Sequence, residues 1–457
     1  MTDNALPPPP VARPRPRFLA TRGARFAIMI LLTVLMTVPL FMVVIVIEER
    51  SSFSRQAIHE VSQRWGGPIF LSGPSLVVPV EKELTRTVKD DDGNEIEEVY
   101  TARSEPVILL PELLTVDADG RSQIRKRGIF EIPVFSAELK MSFSFDTSRI
   151  DDVLGSRETL LWDRASLVVQ MPGTRSFSGT TALNSGARAF DLEPGTPFAR
   201  VAGIQAKTGD PRTLGIMTLE MGLNGAESLF FAPVGRQTDV TITSDWPHPS
   251  FDGSFLPKER QVTDEGFAAT WQIPHLAREI AQVSRTHVQN AASFGVRFYN
   301  PVDFYQKAGR AAKYGILFIA LTFLTVFLIE RFAPRPVHAA QLVLIGVAQC
   351  IFFLLLLSFA EQLGFDAAYL AASAATVGLI TIYGAVGLAL RRMTAALFAA
   401  LATLYSVLYL ILQSTDYALL AGSVLAFVAV ALAMFMTKGD GWGDDWADGQ
   451  SQPSAAS

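Results

Sequence analysis

Long uncharged hydrophobic runs lie at the start and in the last third of the chain, on either side of a middle with ordinary soluble composition. One run covers residues 26–47, and five more follow the middle region. A helix rises about 1.5 Å per residue, so a run of about 20 residues crosses the roughly 30 Å hydrocarbon core of a bilayer. The pattern predicts six transmembrane helices at residues 26–47, 314–329, 340–359, 367–390, 393–412 and 417–436.

The first run has two interpretations, a cleavable signal peptide and an uncleaved anchor. It is longer than the hydrophobic region of a typical signal peptide, and no small-x-small cleavage site follows it before Glu48. We therefore expect an uncleaved anchor. Residues 48–66 keep a helical pattern, which predicts a short stalk that continues the first span and ends at Gly66, Gly67 and Pro68.

Strand patterns dominate the middle of the chain. Residues 137–145 alternate between apolar and polar side chains, as expected for a strand with one buried and one exposed face. Turn signals occur at residues 90–94 and at Asp119 and Gly120, while residues 275–291 form the one amphipathic helix candidate inside this middle region. The predicted fold is an integral membrane α-helical bundle of six spans, with a large extramembrane β-rich domain (antiparallel, α+β) inserted between spans one and two.

The stretch from residue 294 to residue 330 joins these two parts. Asn300 and Pro301 are typical of a helix start, because Asn caps free amides and Pro has no amide hydrogen at the first helical position. The charges stop at Lys313, so an amphipathic junction helix is predicted to run directly into a span. We expect its polar residues either to set the domain's position on the bilayer, facing lipid, or only to cap and solvate the helix; they are Arg297, Asn300, Pro301, Asp303, Tyr305, Lys307, Arg310 and Lys313.

The domain boundaries follow from these patterns and from charge. Arginines are concentrated in the N-terminal tail and in the loops that follow spans two and four, which the positive-inside rule places in the cytoplasm. Both termini are then cytoplasmic, and residues 48–313 are periplasmic. The predicted segments are a disordered Pro/Arg-rich tail at 1–25, transmembrane helix 1 at 26–47, the periplasmic β-rich domain at 48–300, the junction helix at 301–313, the five-helix bundle at 314–436 and a disordered acidic tail at 437–457.

The composition and the motifs of the chain argue against nucleic-acid binding, metal binding and catalysis. A net charge of -5 with 18% charged residues argues against nucleic-acid binding, which needs a basic face. The single cysteine, Cys350, rules out an intramolecular disulfide and every cysteine-cluster metal site. The five histidines match no metal-ligand spacing, and no motif indicates a catalytic residue or a cofactor. We expect no enzyme activity, no metal and no cofactor.

Transport through the bundle is the alternative that the hydrophobic runs leave open. An ion path normally requires an ionisable residue inside the membrane, and the last five runs hold none away from their ends. Gln349 is the main uncharged polar candidate within them. Hydrogen bonding between helices is the simpler explanation for this residue.

Ten ordered segments, taken together, resemble the inner-membrane protein CreD family, which is associated with cell-envelope integrity in Gram-negative bacteria. The resemblance covers nearly everything between residues 26 and 436, although Ile280, Ala281 and Gln282 stand where the family tends to have an aromatic residue, Pro and Gln. The segments are residues 50–51, 65–68, 73–79, 127–139, 247–257, 266–276, 295–296, 301–306, 311–318 and 413–420.

The resemblance implies a role in envelope integrity, often under two-component control and linked to tolerance of envelope-targeting agents. It supplies no known catalytic residue, ligand or mechanism. Our first hypothesis is a non-enzymatic protein whose partners are membrane lipids and an unidentified envelope component or protein. The second is transport or flipping of a lipid or small molecule by the bundle, gated by the domain. The third is an enzyme that acts on envelope polymers.

Overall fold

The chain divides into two compact units. The computed structural model describes residues 22–89, 95–286, 292–298, 304–330, 337–388, 393–413 and 418–437 of the 457 residues. The helical unit comprises Met1–Phe53 and Asp303–Ser457, and the β-rich unit comprises Ser54–Val302. The helices of the described residues are α1 (Arg22–Leu35), α2 (Thr37–Trp65), α3 (Phe304–Glu330), α4 (Ala339–Leu363), α5 (Phe365–Val386), α6 (Thr394–Gln413) and α7 (Ala418–Thr437).

Several of these helices are suited to a membrane. Within the described residues, five helical segments are long and apolar enough to cross one: Ala24–Trp65, Phe304–Glu330, Ala339–Leu363, Phe365–Val386 and Thr394–Gln413. The remaining predicted span corresponds to α7, which has 20 residues and no charged side chain. These helices and the large β-rich unit fit a membrane protein with an extramembrane domain.

The first predicted span contains a break that its hydrophobicity did not indicate. Met36 separates α1 from α2, although backbone hydrogen bonds from Met36 to Leu32 (2.9 Å) and from Leu40 to Met36 (3.2 Å) continue the helical ladder. Pro39 explains the irregularity, because it has no amide hydrogen to donate to the carbonyl of Leu35.

Helix α2 extends well past the apolar run and ends as its glycines predict. Gly67 has φ +72° and donates its amide to the Ser62 carbonyl at 2.7 Å, which closes the last turn. Within the β-rich unit, Ile58, Val61 and Trp65 pack against Ile132, Val134 and Ala226. The part of the stalk after Phe53 therefore packs onto a small apolar cluster of that unit.

Helix α3 is the central element of the helical unit, where it contacts α1, α4, α6 and α7. Its face carries small buried residues, among them Ala308, Ala311 and Ala312. At Gly315 the packing is closest, because an added Cβ would lie 2.8 Å from Leu40 Cδ1 and 3.0 Å from Phe353 Cε2. The sequence of α3 thus allows α2 and α4 to approach it closely.

The β-rich unit contains two sheets. Its strands are β1 (Ile69–Lys89), β2 (Glu95–Leu109), β3 (Leu113–Arg127), β4 (Phe130–Ser144), β5 (Glu158–Leu160), β6 (Ser166–Gln170), β7 (Phe177–Ser185), β8 (Arg188–Phe190), β9 (Glu193–Pro194), β10 (Gly203–Lys207), β11 (Met217–Ala226), β12 (Ser228–Phe231), β13 (Gln237–Ser244), β14 (Pro249–Gly253), β15 (Glu259–Thr263), β16 (Gly266–Pro274), β17 (Val283–Ser284) and β18 (Phe294–Phe298).

In the described part of the chain, one sheet has ten strands and the other has eight. The first follows the order β14-β18-β12-β1-β6-β10-β9, with β2 and β5 also paired to β1 and β17 paired to β2. The second follows the order β15-β16-β13-β3-β4-β11-β7-β8. Apolar side chains of both sheets share one buried cluster, which includes Phe135, Met141, Leu229, Trp271 and Phe294, so the sheets pack face to face.

Among the strands that the structure describes, most neighbours are antiparallel, as predicted, but two pairs are parallel. Ile69 lies opposite Leu229 in the parallel pair of β1 and β12, and Leu113 lies opposite Gln237 in the parallel pair of β3 and β13. A description as a purely antiparallel domain is therefore incomplete. Parallel neighbours require long connections, and nothing in the local pattern of a strand indicates them.

The turn predicted at Asp119 and Gly120 is wrong. Strand β3 runs straight through these residues, because β4 and β13 pair with them on both sides, as in Asp119 opposite Glu138 and opposite Thr243. The chain turns instead at Gly128, which has φ +60°. The turn predicted at residues 90–94 lies outside the described residues.

The amphipathic helix predicted at residues 275–291 is also wrong over its described part. Residues His275–Ala277 form a 3-10 turn, and β17 pairs with β2. The Leu110 amide donates to the Gln282 carbonyl at 2.9 Å, and the Gln282 side-chain amide donates to Leu110 O (2.7 Å) and Pro111 O (2.8 Å). These tertiary hydrogen bonds outweigh a weak local helix preference. Residues 287–291 lie outside the described part.

Candidate functional site

Polar side chains gather where α2 leaves its apolar run, where α3 and α5 begin, and where α4 and α6 end. Successive antiparallel helices place these points at one end of the helical unit. We call this group the polar collar. Its members are Arg50, Tyr305, Lys307, Arg310, Glu361, Asp366, Tyr409 and Gln413.

Glu361 of α4 links two helices of the collar. Its Oε2 accepts a hydrogen bond from Arg50 Nη2 of α2 at 3.1 Å, and its Oε1 accepts one from the Tyr305 hydroxyl of α3 at 3.0 Å. The Glu361 side chain is only 6% exposed, whereas that of Arg50 is 48% exposed. Both carboxylate oxygens therefore have donors, as a buried charge requires.

The two donors, Arg50 and Tyr305, lie close to the points where the chain leaves the helical unit and returns to it. Arg50 lies three residues before Phe53, where the chain leaves the helical unit, and Tyr305 lies two residues after Asp303, where it returns. One carboxylate on α4 therefore holds both of the segments through which the chain connects the two units.

A second group in the collar links α3, α5 and α6. Asp366 Oδ1 accepts hydrogen bonds from the Tyr409 hydroxyl (3.0 Å) and from Gln413 Nε2 (2.7 Å). Gln413 Oε1 accepts in turn from Lys307 Nζ at 3.3 Å. The Lys307 ammonium also lies 5.0 Å from the centre of the Phe365 ring, within range of a cation–π interaction.

Arg310 is the least satisfied member of the collar. Its Nη2 lies 3.5 Å from the Leu412 carbonyl oxygen, at the limit of a hydrogen bond. Its Nε is buried and has no hydrogen-bond partner among the described residues. The collar as a whole is a network of hydrogen bonds with one ion pair within the described part of the chain, between Arg50 and Glu361, and it joins helix ends to one another.

The structure brings together only part of the predicted junction group. Tyr305, Lys307 and Arg310 belong to the collar, while Lys313 is exposed on α3 and has no partner within the described part of the chain. Asn300, Pro301 and Asp303 lie outside the described residues.

Arg297 belongs to the other unit. On β18 it donates from Nε to Asp252 Oδ2 at 2.7 Å and lies over the Phe230 ring. The Gly253 amide and then the Arg297 guanidinium hold the pKa of the Asp252 carboxyl below its usual range.

Gln349 lies near the middle of α4 and is 2% exposed. Its Nε2 donates to Thr322 Oγ1 of α3 at 2.7 Å, which is a hydrogen bond between helices. Its Oε1 is buried and has no partner among the residues that the structure describes. Within the same described residues, no group of three or more His, Cys, Asp or Glu side chains is placed to hold a metal ion.

Comparison with known proteins identifies the family. Residues 22–443 match the family model described as inner membrane protein CreD. This chain belongs to the CreD family. The inner membrane protein CreD of Escherichia coli K12 is 32% identical over 416 residues, which cover 89% of this chain and 91% of that protein. The predicted resemblance is confirmed, and the chain is a multi-pass inner-membrane protein.

Similarity to solved structures adds nothing to the CreD assignment. Two crystal structures of an M1 zinc metallopeptidase from Deinococcus radiodurans align over 76% of this chain and 95% of theirs, at 9% and 11% identity. Their TM-scores are 0.20 and 0.21, which are too low to establish a shared fold.

The sequence analysis of this CreD-family chain did not identify three members of the collar, Arg50, Glu361 and Asp366. Glu361 and Asp366 lie between two predicted spans, and Arg50 lies just after the first hydrophobic run. Their partners lie on helices far away in sequence, so no local spacing points to them. The one available signal is that both acids flank Gly364 between two long apolar runs.

Proposed function

We propose that this CreD-family protein supports the integrity of the cell envelope without catalysing a reaction. Its β-rich unit is exported to the periplasm and binds an envelope component or a partner protein, as part of the response to envelope-targeting agents. The name of the family supports an inner-membrane location. The sandwich of two sheets, with a core shared between them, supports a rigid binding module.

The proposed topology has six spans, with α7 as the sixth, and both termini in the cytoplasm. The arginine-rich N-terminal tail and Arg391 and Arg392 support this orientation through the positive-inside rule. The acidic residues Glu361 and Asp366 then face the periplasm.

The observation that carries the proposal is the double link at Glu361. A protein that only anchored a periplasmic domain would require one span. It would not need to hold the segments at Arg50 of α2 and Tyr305 of α3, which connect the two units, on a third helix, α4. Holding Arg50 and Tyr305 on one buried carboxylate restricts the position of both connections. We infer that the bundle fixes the two chain segments that lead into and out of the binding domain, and that this constraint matters for function.

Complementation of a deletion strain tests this proposal. Cells that lack the protein are scored for permeability and for lysis by an envelope-targeting agent. They then receive the full chain, residues 1–300, or the full chain carrying Glu361→Gln, with equal protein levels verified in membranes. We expect full rescue by the full chain, weak rescue by Glu361→Gln and none by residues 1–300. Full rescue by residues 1–300 would show that the bundle is dispensable and would contradict the role of the collar.

Transport or flipping of a small molecule or lipid by the bundle is the second candidate. It is supported by Gln349 Oε1, which has no partner among the described residues, since a buried acceptor without a donor is costly and polar groups inside a membrane often serve a function. The test is Gln349→Leu, with Thr325→Val as the control, because within the described part of the chain the Thr325 hydroxyl bonds only the Leu321 carbonyl of its own helix. Loss of rescue in Gln349→Leu alone, at normal protein level and stability, would favour transport.

A further inference from the structure

A cavity of about 330 Å³ opens between the start of α1, the end of α3 and the start of α4. This volume is at the lower end of the ~300–1,000 Å³ typical of ligand sites. Ile28, Met29, Phe327 and Leu342 supply much of its apolar lining. Three polar side chains also line it: Arg25, Glu330 and His338.

These polar groups retain unused hydrogen-bonding capacity. Arg25 Nη1 pairs with Glu330 Oε1 at 2.9 Å, and the same oxygen accepts from the Val337 amide at 3.2 Å. Among the described residues, Glu330 Oε2 and the Arg25 Nε and Nη2 groups make no hydrogen bond. The Glu330 side chain is 13% exposed, so the carboxylate as a whole has only limited access to water.

His338 supplies a further donor. Its Nδ1 accepts the Ala340 amide at 3.2 Å, which caps α4. In the neutral imidazole the proton must then be on Nε2. The cavity thus offers a guanidinium cation, a carboxylate with one oxygen that accepts no hydrogen bond from the described residues, and an imidazole N–H donor, together with an apolar lining.

The cavity lies at the depth of lipid headgroups. Arg25 is the last charged residue before the apolar run at 26–47, and Glu330 is the first after the run at 314–329. Charged residues that bound an apolar run mark the membrane–water interface. Helix α1 continues from there with exposed apolar side chains, such as Leu31 and Val34, which suit contact with acyl chains.

We propose that this cavity binds the headgroup of a zwitterionic phospholipid with a primary ammonium group, an ethanolamine-type lipid. The phosphate oxygens accept from Arg25 and from His338 Nε2, the ammonium donates to Glu330 Oε2, and the upper acyl carbons cover the apolar lining. A choline headgroup has no N–H to donate to Glu330. An anionic headgroup without an amine leaves the carboxylate facing a second negative charge, which is unfavourable at low exposure.

Native mass spectrometry of the purified full chain tests the proposal. Phosphatidylethanolamine, phosphatidylcholine and phosphatidylglycerol are added in equal amounts to the protein in detergent, and the retained lipid is counted. A charge-assisted hydrogen bond changes affinity by about tenfold or more, so we expect about tenfold higher retention of phosphatidylethanolamine than of the choline lipid. Glu330→Gln is expected to abolish this preference.

A matched pair of leucine variants, one inside the cavity and one outside it, controls for effects on folding. Ala339→Leu places three extra carbons in the cavity, while Ala340→Leu makes the same change at an exposed neighbour that does not line it. We expect phosphatidylethanolamine retention to fall about tenfold in the first variant and to stay unchanged in the second. Equal retention of the ethanolamine and choline lipids, stronger retention of phosphatidylglycerol, or undiminished retention in Ala339→Leu would each overturn the proposal.

Discussion

The buried carboxylate of Glu361 supplies the hydrogen-bond acceptors for two side chains on other helices. Its two oxygens take one hydrogen bond each from Arg50 and Tyr305. Loss of the carboxylate leaves a guanidinium without its counter-charge, and that penalty is larger than the value of the pair itself. The partly exposed Arg50 can recover some hydration, which limits the effect.

We therefore predict that Glu361→Gln destabilises the protein by roughly 1–3 kcal/mol. The glutamine oxygen still accepts from Tyr305, but the ion pair with Arg50 is lost. The measurement is the thermal unfolding midpoint of the purified full chain in detergent. Glu49→Gln is the matched control, since it removes the same charge at an exposed position beside Arg50. Equal midpoints for the two variants would contradict the role given to Glu361.

A second buried carboxylate, Glu158 of β5, predicts a pH dependence in the β-rich unit. Its Oε2 accepts from the Gly155 amide at 2.8 Å, and the carboxylate pairs with Arg285 and accepts from Ser104 Oγ at 3.0 Å. The Gly155 amide first, and then Arg285, lower the pKa of Glu158 from 4.5 to about 2. Because the pKa is lowered in the folded state, the stabilisation is complete above about pH 4.5 and is lost as the pH falls toward about 2.

The corresponding test compares thermal unfolding of the full chain at pH 7, 4 and 3 with that of two variants. Glu158→Gln is expected to be less stable than the original chain at pH 7 and to lose less stability on acidification. Glu259→Gln, at an exposed position on β15, is expected to follow the original chain at every pH. An unchanged acid response in Glu158→Gln would show that other carboxylates determine it.

At the scale of elements, α3 predicts opposite outcomes for its two glycines. At Gly309 an added Cβ would have only Ile47 Cγ2 nearby, at 3.9 Å, whereas at Gly315 it would lie 2.8 Å from Leu40. Gly309→Ala should be neutral or stabilise by up to about 1 kcal/mol, because alanine favours a helix. Gly315→Leu should lower the stability of the protein by roughly 1–3 kcal/mol, because the added side chain forces α2 and α4 away from α3.

Thermal unfolding of both variants in detergent measures this difference. Gly309→Leu is the size-matched control for Gly315→Leu, since it adds the same side chain on the same helix where space is available. If Gly315→Leu proved as stable as Gly309→Leu, the close approach of the helices at Gly315 would be disproved.

Elements could be predicted from the sequence where one local pattern determines them. The alternation at residues 137–145 gave β4, in which Ala137, Leu139, Met141 and Phe143 are buried. Prediction failed where distant partners decide the conformation. Gln282 is held in extended chain by hydrogen bonds to Leu110 and Pro111, and Asp119 is held in a strand by two neighbouring strands.

The same limit applies to the candidate site. Tyr305, Lys307 and Arg310 lie within six residues of one another, so their position on one helix entry was visible in the sequence. Glu361 is separated from Arg50 by 311 residues, and Asp366 from Gln413 by 47. A polar network assembled by helix packing leaves no periodicity along the chain.

At the scale of the whole molecule, the proposed topology predicts which surfaces reagents can reach. Cys350 is buried, and Cys350→Ser gives a cysteine-free background. In that background Leu256→Cys, at a position 72% exposed in the β-rich unit, should react with a membrane-impermeant maleimide in cells with a permeabilised outer membrane. Ser457→Cys should react only after the inner membrane is opened. The reverse labelling pattern would contradict a periplasmic β-rich unit.

The strand order of the ten-stranded sheet also has a consequence for biosynthesis. Strand β1, near the start of the β-rich unit, pairs with β12, and the final strand, β18, is inserted between β12 and β14. Both partners of β12 are therefore distant in sequence, which makes folding slow and leaves strand edges open meanwhile. In the proposed topology the sheet closes only after residue 298 has been translocated, just before α3 enters the bilayer. The nascent unit thus needs protection from aggregation during nearly the whole of its export.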